Sequence, residues 1–377
     1  MPVLYRKRCL SQPLISIKAF IPSPSLSLRK TKKKKMLTKT PAYSSIPPVI
    51  TQGSRENDSN YISPSFPIGP FTKYSGNPLL VPNAENDFES AYIYNAAALV
   101  LDDSIYLLYR AQNAANVSFI GLAWSSDGFN FTRLDRPVLE PTEPWEAGGG
   151  VEDPRIVRVD GTFYMTYTAY DLHKPRLCLA TSTDLVNWKK YPPMFESWAD
   201  VEIELDGSHH IRRDHTKAGA VFPEKNAAGK YVMIWGDSVL QLAESDDLVT
   251  WSPLPFNQHF ATGVHHWENR LLEPGPAPIK TKDGKWILVY NAATTGGRGF
   301  ASNQYSISQM LMDYENLEAG PLARLEKPSI LVGARNEHLG QVNEVVFCEG
   351  MVQFKGRWFL YYGQGDSELG VAVSDAC

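Results

Sequence analysis

From Asn77 onward the chain runs in short stretches of alternating apolar and polar residues punctuated by Gly, Pro and Asp, and no window of a dozen residues carries helical periodicity. The pattern predicts an all-β body. One unit recurs five times: an apolar strand, a polar turn, an aromatic strand, a variable segment and a further strand. Its first copy runs through 97–101, a turn at Asp102-Asp103, 105–109 and 121–128; the second through 155–159, Asp160-Gly161, 163–167 and 179–185. The third covers 219–222, 231–235 and 242–248, the fourth 277–279, 286–290 and 305–312, and the fifth 345–350, 358–362 and 369–373. One such unit cannot bury both faces alone, and radial closure removes exposed edges, so the repeat predicts a five-bladed β-propeller, with a two-sheet sandwich as the competing arrangement. The endings Ser125 to Phe131, Ser182 to Trp188 and Ser245 to Trp251 share a Ser-x-Asp turn that delivers an aromatic ring toward the core, a structural mark rather than chemistry.

Charge divides the chain. Residues 1–50 hold eleven Lys or Arg and no Asp or Glu, which leaves 26 basic against 41 acidic residues beyond them, a formal charge of −15. We read 1–60 as a basic, disordered arm and 61–377 as the catalytic domain. The arm resembles a transit segment, but its apolar stretch is broken by Pro13 and Lys18, so secretion is not supported and a cytoplasmic location is the expectation. No aromatic interleaving accompanies the basic run at Lys32–Lys35, so no nucleic-acid partner is expected. Apolar runs stop far short of the ~18 residues that cross a bilayer, so no membrane partner is expected either. The four cysteines are widely spaced, and the eight histidines lack metal-ligand spacing and read as solvated loop residues; neither metal nor cofactor is expected. There is no serine-nucleophile elbow, phosphate loop or dinucleotide fingerprint. A homo-oligomer is compatible with the sequence but not encoded in any pattern.

Polar residues at strand starts of different blades converge on one axial pocket. The richest such segment is Gly148-Gly149-Gly150-Val151-Glu152-Asp153-Pro154-Arg155: glycines permit close backbone approach, Pro154 restricts Asp153, and Arg155 supplies a charge. Further carboxylates stand at comparable places: Asp87, Glu89, Glu273, Glu344, Glu349 and Asp366. Each alone serves a turn or an ion pair, but two held ~6.5–9.5 Å apart cleave a glycosidic bond with inversion, one protonating the leaving oxygen and the other activating water.

Together these segments resemble glycoside hydrolase family 130, β-mannoside phosphorylases and β-mannosidases on a five-bladed propeller. The resemblance rests on Gly150–Arg155, Tyr167-Thr168-Ala169-Tyr170-Asp171, Phe222-Pro223-Glu224-Lys225, Gly275-Pro276-Ala277-Pro278-Ile279 and Tyr361-Tyr362-Gly363. It implies Asp153 as general acid acting through a sugar hydroxyl, Asn95, Arg110 and Asp366 beside the mannosyl unit, and Arg176 and Lys217 on the acceptor-anion side. The phosphorylase pattern carries His-Arg where this chain has Trp235-Gly236, and Tyr-His-Gly where it has Tyr290-Asn291-Ala292. Fewer cations weaken a phosphate cradle. The resemblance to the hydrolytic branch around Phe347-Cys348-Glu349-Gly350 therefore makes inverting hydrolysis of β-mannosides, with 1,2-linkage in view, the leading expectation, with Glu273, Glu349 or Glu344 as base. Phosphorolysis with inorganic phosphate, releasing mannose 1-phosphate, is the alternative, and a non-catalytic carbohydrate-binding propeller is a third reading.

Overall fold

A computed structural model describes residues 41–376, apart from 197, 199, 200, 206, 207, 213 and 214, and only the backbone of 201–212. The basic segment 1–40 lies outside the described residues. The alternating runs form strands, as their β-branched and aromatic content dictates, and among the described residues these assemble into five antiparallel groups beside a separate hairpin of Val201–Leu205 and Ser208–Arg212. The first comprises Tyr92–Leu101, Ser104–Gln112, Ser118–Ser125 and Thr132–Leu134. The second comprises Gly150–Val159, Thr162–Tyr170, Pro175–Ser182 and Lys189–Lys190. Gly219–Val221, Tyr231–Trp235, Gln241–Ser245 and Ser252–Pro253 form the third. In the fourth, Leu271–Pro274 and Ile279–Lys280 share the edge of Trp286–Ala293, which pairs onward with Tyr305–Met312. The fifth takes Val346–Phe354, Arg357–Gln364 and Glu368–Asp375 and completes itself with Thr72–Lys73 from the other end of the body.

The core lies between the groups rather than within them. Leu108 of the first packs with Phe163 of the second, Leu177 of the second with Met233 of the third, and Phe222 of the third with Trp286 of the fourth. Val289 of the fourth packs with Leu360 of the fifth, and Tyr361 of the fifth returns to Leu107 of the first. Each interface removes two apolar sheet faces from water, the dominant stabilising term. The Ser-x-Asp turns do what their sequence implies. Ser182 Oγ accepts from the Asp184 and Leu185 amides, Asp184 Oδ1 accepts from Val186 and Asn187, and Trp188 packs on the first interface.

A second repeated device was not anticipated. A glutamate preceding the group accepts a hydrogen bond from the tyrosine of the second strand, and a cation holds the same carboxylate. The sets are Glu89 with Tyr109 and Arg133, Glu146 with Tyr167 and Lys190, Glu268 with Tyr290 and Arg324, and Glu337 with Tyr362 and Lys73. All four carboxylates are fully buried. Glu89, read from sequence among the carboxylates at a blade entrance, thus belongs to the frame.

The division expected at residue 60 is corrected by the segment 41–60. Ala42–Ser44 pairs in parallel with Thr132–Leu134, Ile50 enters the first interface, and the Thr51, Gln52 and Ser54 carbonyls accept from Arg158. Asp58 accepts from the Lys355 amide. Backbone partners, not charge, decide where this body starts. Among the described residues no helix is long and apolar enough to cross a membrane.

Candidate active site

Three first strands are interrupted where polar residues are needed. The register slips between Tyr94 and Ala96, between Glu152 and Arg155, and between Cys348 and Gly350. A bulge frees one residue from the ladder and re-aims its side chain. The residues freed are Asn95, Asp153 with Pro154, and Glu349. Asn95 and Asp153 take left-handed backbone, at φ 45° and 54°, and Pro154, lacking an N–H, fits the gap. Gly150 is fixed by close approach: a Cβ there would run into the Ser118 backbone, with which it forms the single bridge between the first two groups.

Asn95 and Asp153 open on a cavity of about 490 Å³ whose lining draws on all five groups; of that lining Asn95, Arg110, Asp153, Lys217, Glu273 and Asp366 were anticipated from sequence. Asp153 Oδ1 accepts from Asn95 Nδ2 and Arg110 Nη1, both at 3.0 Å, and Lys217 Nζ lies 3.9 Å from its other oxygen. Burial works to raise this carboxyl, but Arg110, Lys217, Arg155 and the Asn95 amide outweigh it and hold Asp153 far below the usual carboxylate range. Arg110 also binds Glu152 at 2.6 Å. Burial pushes the Asp366 carboxyl up to about 7 against the pull of Arg110.

The expected bases are placed differently from one another. Glu273 lines the cavity, yet Arg155 Nη2 sits 3.1 Å from one of its oxygens and Lys217 Nζ 3.2 Å from the other. Glu349 is buried behind it, 3.2 Å from Arg155, and does not line the cavity. One oxygen each from Asp153, Glu273 and Glu349 lie within 4.8 Å of one another. That is closer than the ~6.5–9.5 Å that leaves room for an attacking water. Arg155 contacts Glu273 and Glu349, and Lys217 contacts Glu273 and lies near Asp153, so the cluster's cations are already engaged. Glu344 turns away: its carboxylate meets His338 Nδ1 at 3.0 Å, from a loop residue at φ 63°, and is not part of the lining. Arg176 is likewise outside the lining, its guanidinium bound to Asp171 at 2.8 Å. The placement expected of Glu344, Glu349 and Arg176 is therefore corrected: none of the three lines the cavity.

Sequence reading missed Arg270, His215, Asp237 and Tyr305, which also line the cavity. His215 Nε2 stands 3.2 Å from Asp237 Oδ2, so this histidine is no solvated loop residue. Arg270 Nη1 is buried without a protein acceptor. Asn291, which replaces the phosphorylase histidine, instead ties the fourth group to the fifth by bonding both the amide and the carbonyl of Cys348. The signal for Asp237 was its place directly after Trp235-Gly236; Arg270 and His215 carry none, since loops between groups bring them in.

Comparison with known proteins agrees with this architecture. The glycoside hydrolase family 130 model, described as beta-1,4-mannooligosaccharide phosphorylase, matches residues 71–376. A 1,2-beta-oligomannan phosphorylase of Thermoanaerobacter sp. strain X514 is 34% identical over 321 residues, covering 80% of this chain and 96% of the relative. A beta-1,2-mannobiose phosphorylase of the same organism is 32% identical, with the same coverage. Among solved structures, one reported for glycoside hydrolases of the family that target beta-1,2 mannosidic linkages in Candida mannan superimposes with a TM-score of 0.73 at 31% identity, over 85% of this chain and 97% of that one. With its bulged strands, its cavity and a match across nearly the whole described body, the chain belongs to glycoside hydrolase family 130.

Proposed function

We propose that the protein is a β-mannoside phosphorylase acting on β-1,2-linked manno-oligosaccharides, on a five-bladed propeller. The ring of five interfaces, the last returning to the first group, supports the propeller. The observation that carries the phosphorylase reading is the pair of cations in the cavity lining: Arg270, with an uncommitted buried Nη1, and Lys217. Charge-assisted donors of this kind neutralise and orient an oxyanion. They fill the deficit that Trp235-Gly236 and Asn291 suggested in the sequence.

In this reading a phosphate oxygen forms a bond to C1 of the mannosyl unit as the C1–O bond to the leaving sugar breaks, with inversion. The proton reaches the leaving oxygen from Asp153 by way of a sugar hydroxyl. Asn95, Arg110 and Asp366 hold the mannosyl unit. The free site keeps Asp153 ionised, so it must gain proton affinity on loading. An anion on Lys217 and Arg270 does this by offsetting the positive field at Asp153. Phosphate and the acid are thereby coupled.

Hydrolysis is the second reading, favoured by Glu273 in the lining and by the solved hydrolase relative. Against it, both Glu273 oxygens are held by cations, and the spacing from Asp153 is short. Incubation with β-1,2-mannobiose with and without inorganic phosphate decides between them. Mannose 1-phosphate formed only with phosphate is the expected product; free mannose released at equal rates in both tubes would discard the phosphorylase.

A further inference from the structure

Arg155 is 2% exposed, and each of its three side-chain nitrogens has an acceptor. Nε and Nη2 bond the Pro274 carbonyl, Nε also reaches that of Gly275, and Nη2 meets Glu273 and Glu349. Its Nη1 donates at 3.1 Å to the main-chain carbonyl of Asp153. One side chain of the second group thus grips both the fourth group and the peptide whose left-handed backbone aims the reacting carboxyl. Two buried carboxyls share that cation. Both Glu349 oxygens lack a hydrogen-bond donor, and the charged groups facing them are Arg155 on the second group's strand, Glu273 on the fourth, Asp153 and Lys217. Asp153 has Arg110 at 3.0 Å and Glu273 has Lys217 at 3.2 Å besides Arg155, whereas Glu349 pairs with Arg155 alone and shares it with Glu273. A second unpaired anion in such a place is far costlier than a neutral acid.

We propose that Arg155 is a positioning residue for the reaction, fixing Asp153 through its own carbonyl, and that Glu349 is its uncharged partner, a carboxylic acid rather than a base. This rests on Asp153 being the reacting acid. In Glu349 the proton stays on the carboxyl throughout turnover. Burial favours the same state, driving its proton affinity well above the ordinary glutamate range against the pull of Arg155.

Arg155→Lys tests the first half, because it keeps the charge and loses the planar fork. Turnover of β-1,2-mannobiose should fall about 100-fold in kcat, the cost of misplacing a reacting group by about an ångström. KM should change less than about threefold, and the pH limbs should stay in place because the charge is kept. A folded Arg155→Lys enzyme with parental kcat overturns the role. If that variant does not fold, Arg155→Met/Glu273→Met decides, since it removes cation and anion together. With Glu349 neutral the double variant should fold and be slow; failure to fold, or parental kcat, counts against the proposal. For the second half, the infrared C=O stretch of a protonated carboxyl should be present in the parent at neutral pH and lost in the Glu349→Gln difference spectrum. No difference, or a Gln variant that cannot fold, overturns it. A parent without mannobiose turnover, or an active Asp153→Asn protein, sinks the reading of the site instead and leaves the infrared result standing.

Discussion

Asp366 faces opposing demands. In the mannosyl-binding role proposed for it, it would accept hydrogen bonds from sugar hydroxyls best when ionised, whereas its burial favours the proton and lifts the carboxyl to about 7. A folded-state value above the unfolded ~3.9 contributes stability that is complete below about pH 4 and is lost as pH rises through about 7. Asp366→Asn should therefore flatten the stability profile between these limits in urea titrations at several pH values. The parent's KM should fall as pH rises through 7, and Asp366→Asn should abolish that fall. A KM that varies with pH equally in both proteins would assign the ionisation elsewhere. The legibility of the site follows the same locality. Asp153 stood out because glycine, proline and arginine crowd around it in eight consecutive residues. Glu349 misled because a bulge between Cys348 and Gly350 changes which way one residue points, and a single-residue slip in a strand moves a side chain to the other face. Arg270 was invisible because only the fold brings it to the cavity.

At the scale of the element, strands and Ser-x-Asp turns were readable since both are written in neighbouring residues. The glutamate–tyrosine–cation sets were not, because Glu268, Tyr290 and Arg324 join from positions 22 and 34 residues apart, in three different segments. In four of the groups they secure the entrance to the outer strand. Glu268 Oε1 takes the Val264 and His265 amides and Arg324, and the Tyr290 hydroxyl at 2.7 Å serves Oε2. Tyr290→Phe leaves that buried oxygen without its donor, which costs about 1–3 kcal/mol. Urea unfolding should report that loss with an unchanged m-value, as befits a local defect in a cooperative body. A variant as stable as the parent would make the set ornamental to folding. The third group has Trp235 where the others have tyrosine, and its indole donates instead to the Leu242 carbonyl.

For the molecule as a whole, the fifth group depends on chain from both ends. Thr72 and Lys73 pair with Val373 and Ala372, and Lys73 supplies the cation to Glu337, a carboxylate with no exposed surface. Removing residues 1–75 would strip that outer strand, expose the edge of Glu368–Asp375 and leave Glu337 without its cation. An unpaired edge templates association, and breaking a buried pair by deleting one partner costs about 3–5 kcal/mol. That is a large share of the 5–15 kcal/mol typical of a folded domain. The 1–75 deletion should thus be aggregated or strongly destabilised in thermal melts. Deletion of 1–40 leaves in place every strand pairing and carbonyl contact described above, the first of them at Ala42, and is the comparison for the longer deletion. Equal melting of the two truncated proteins would mean that the strand at Thr72–Lys73 does not close the body, and with it the ring on which the convergence of five groups at one cavity rests.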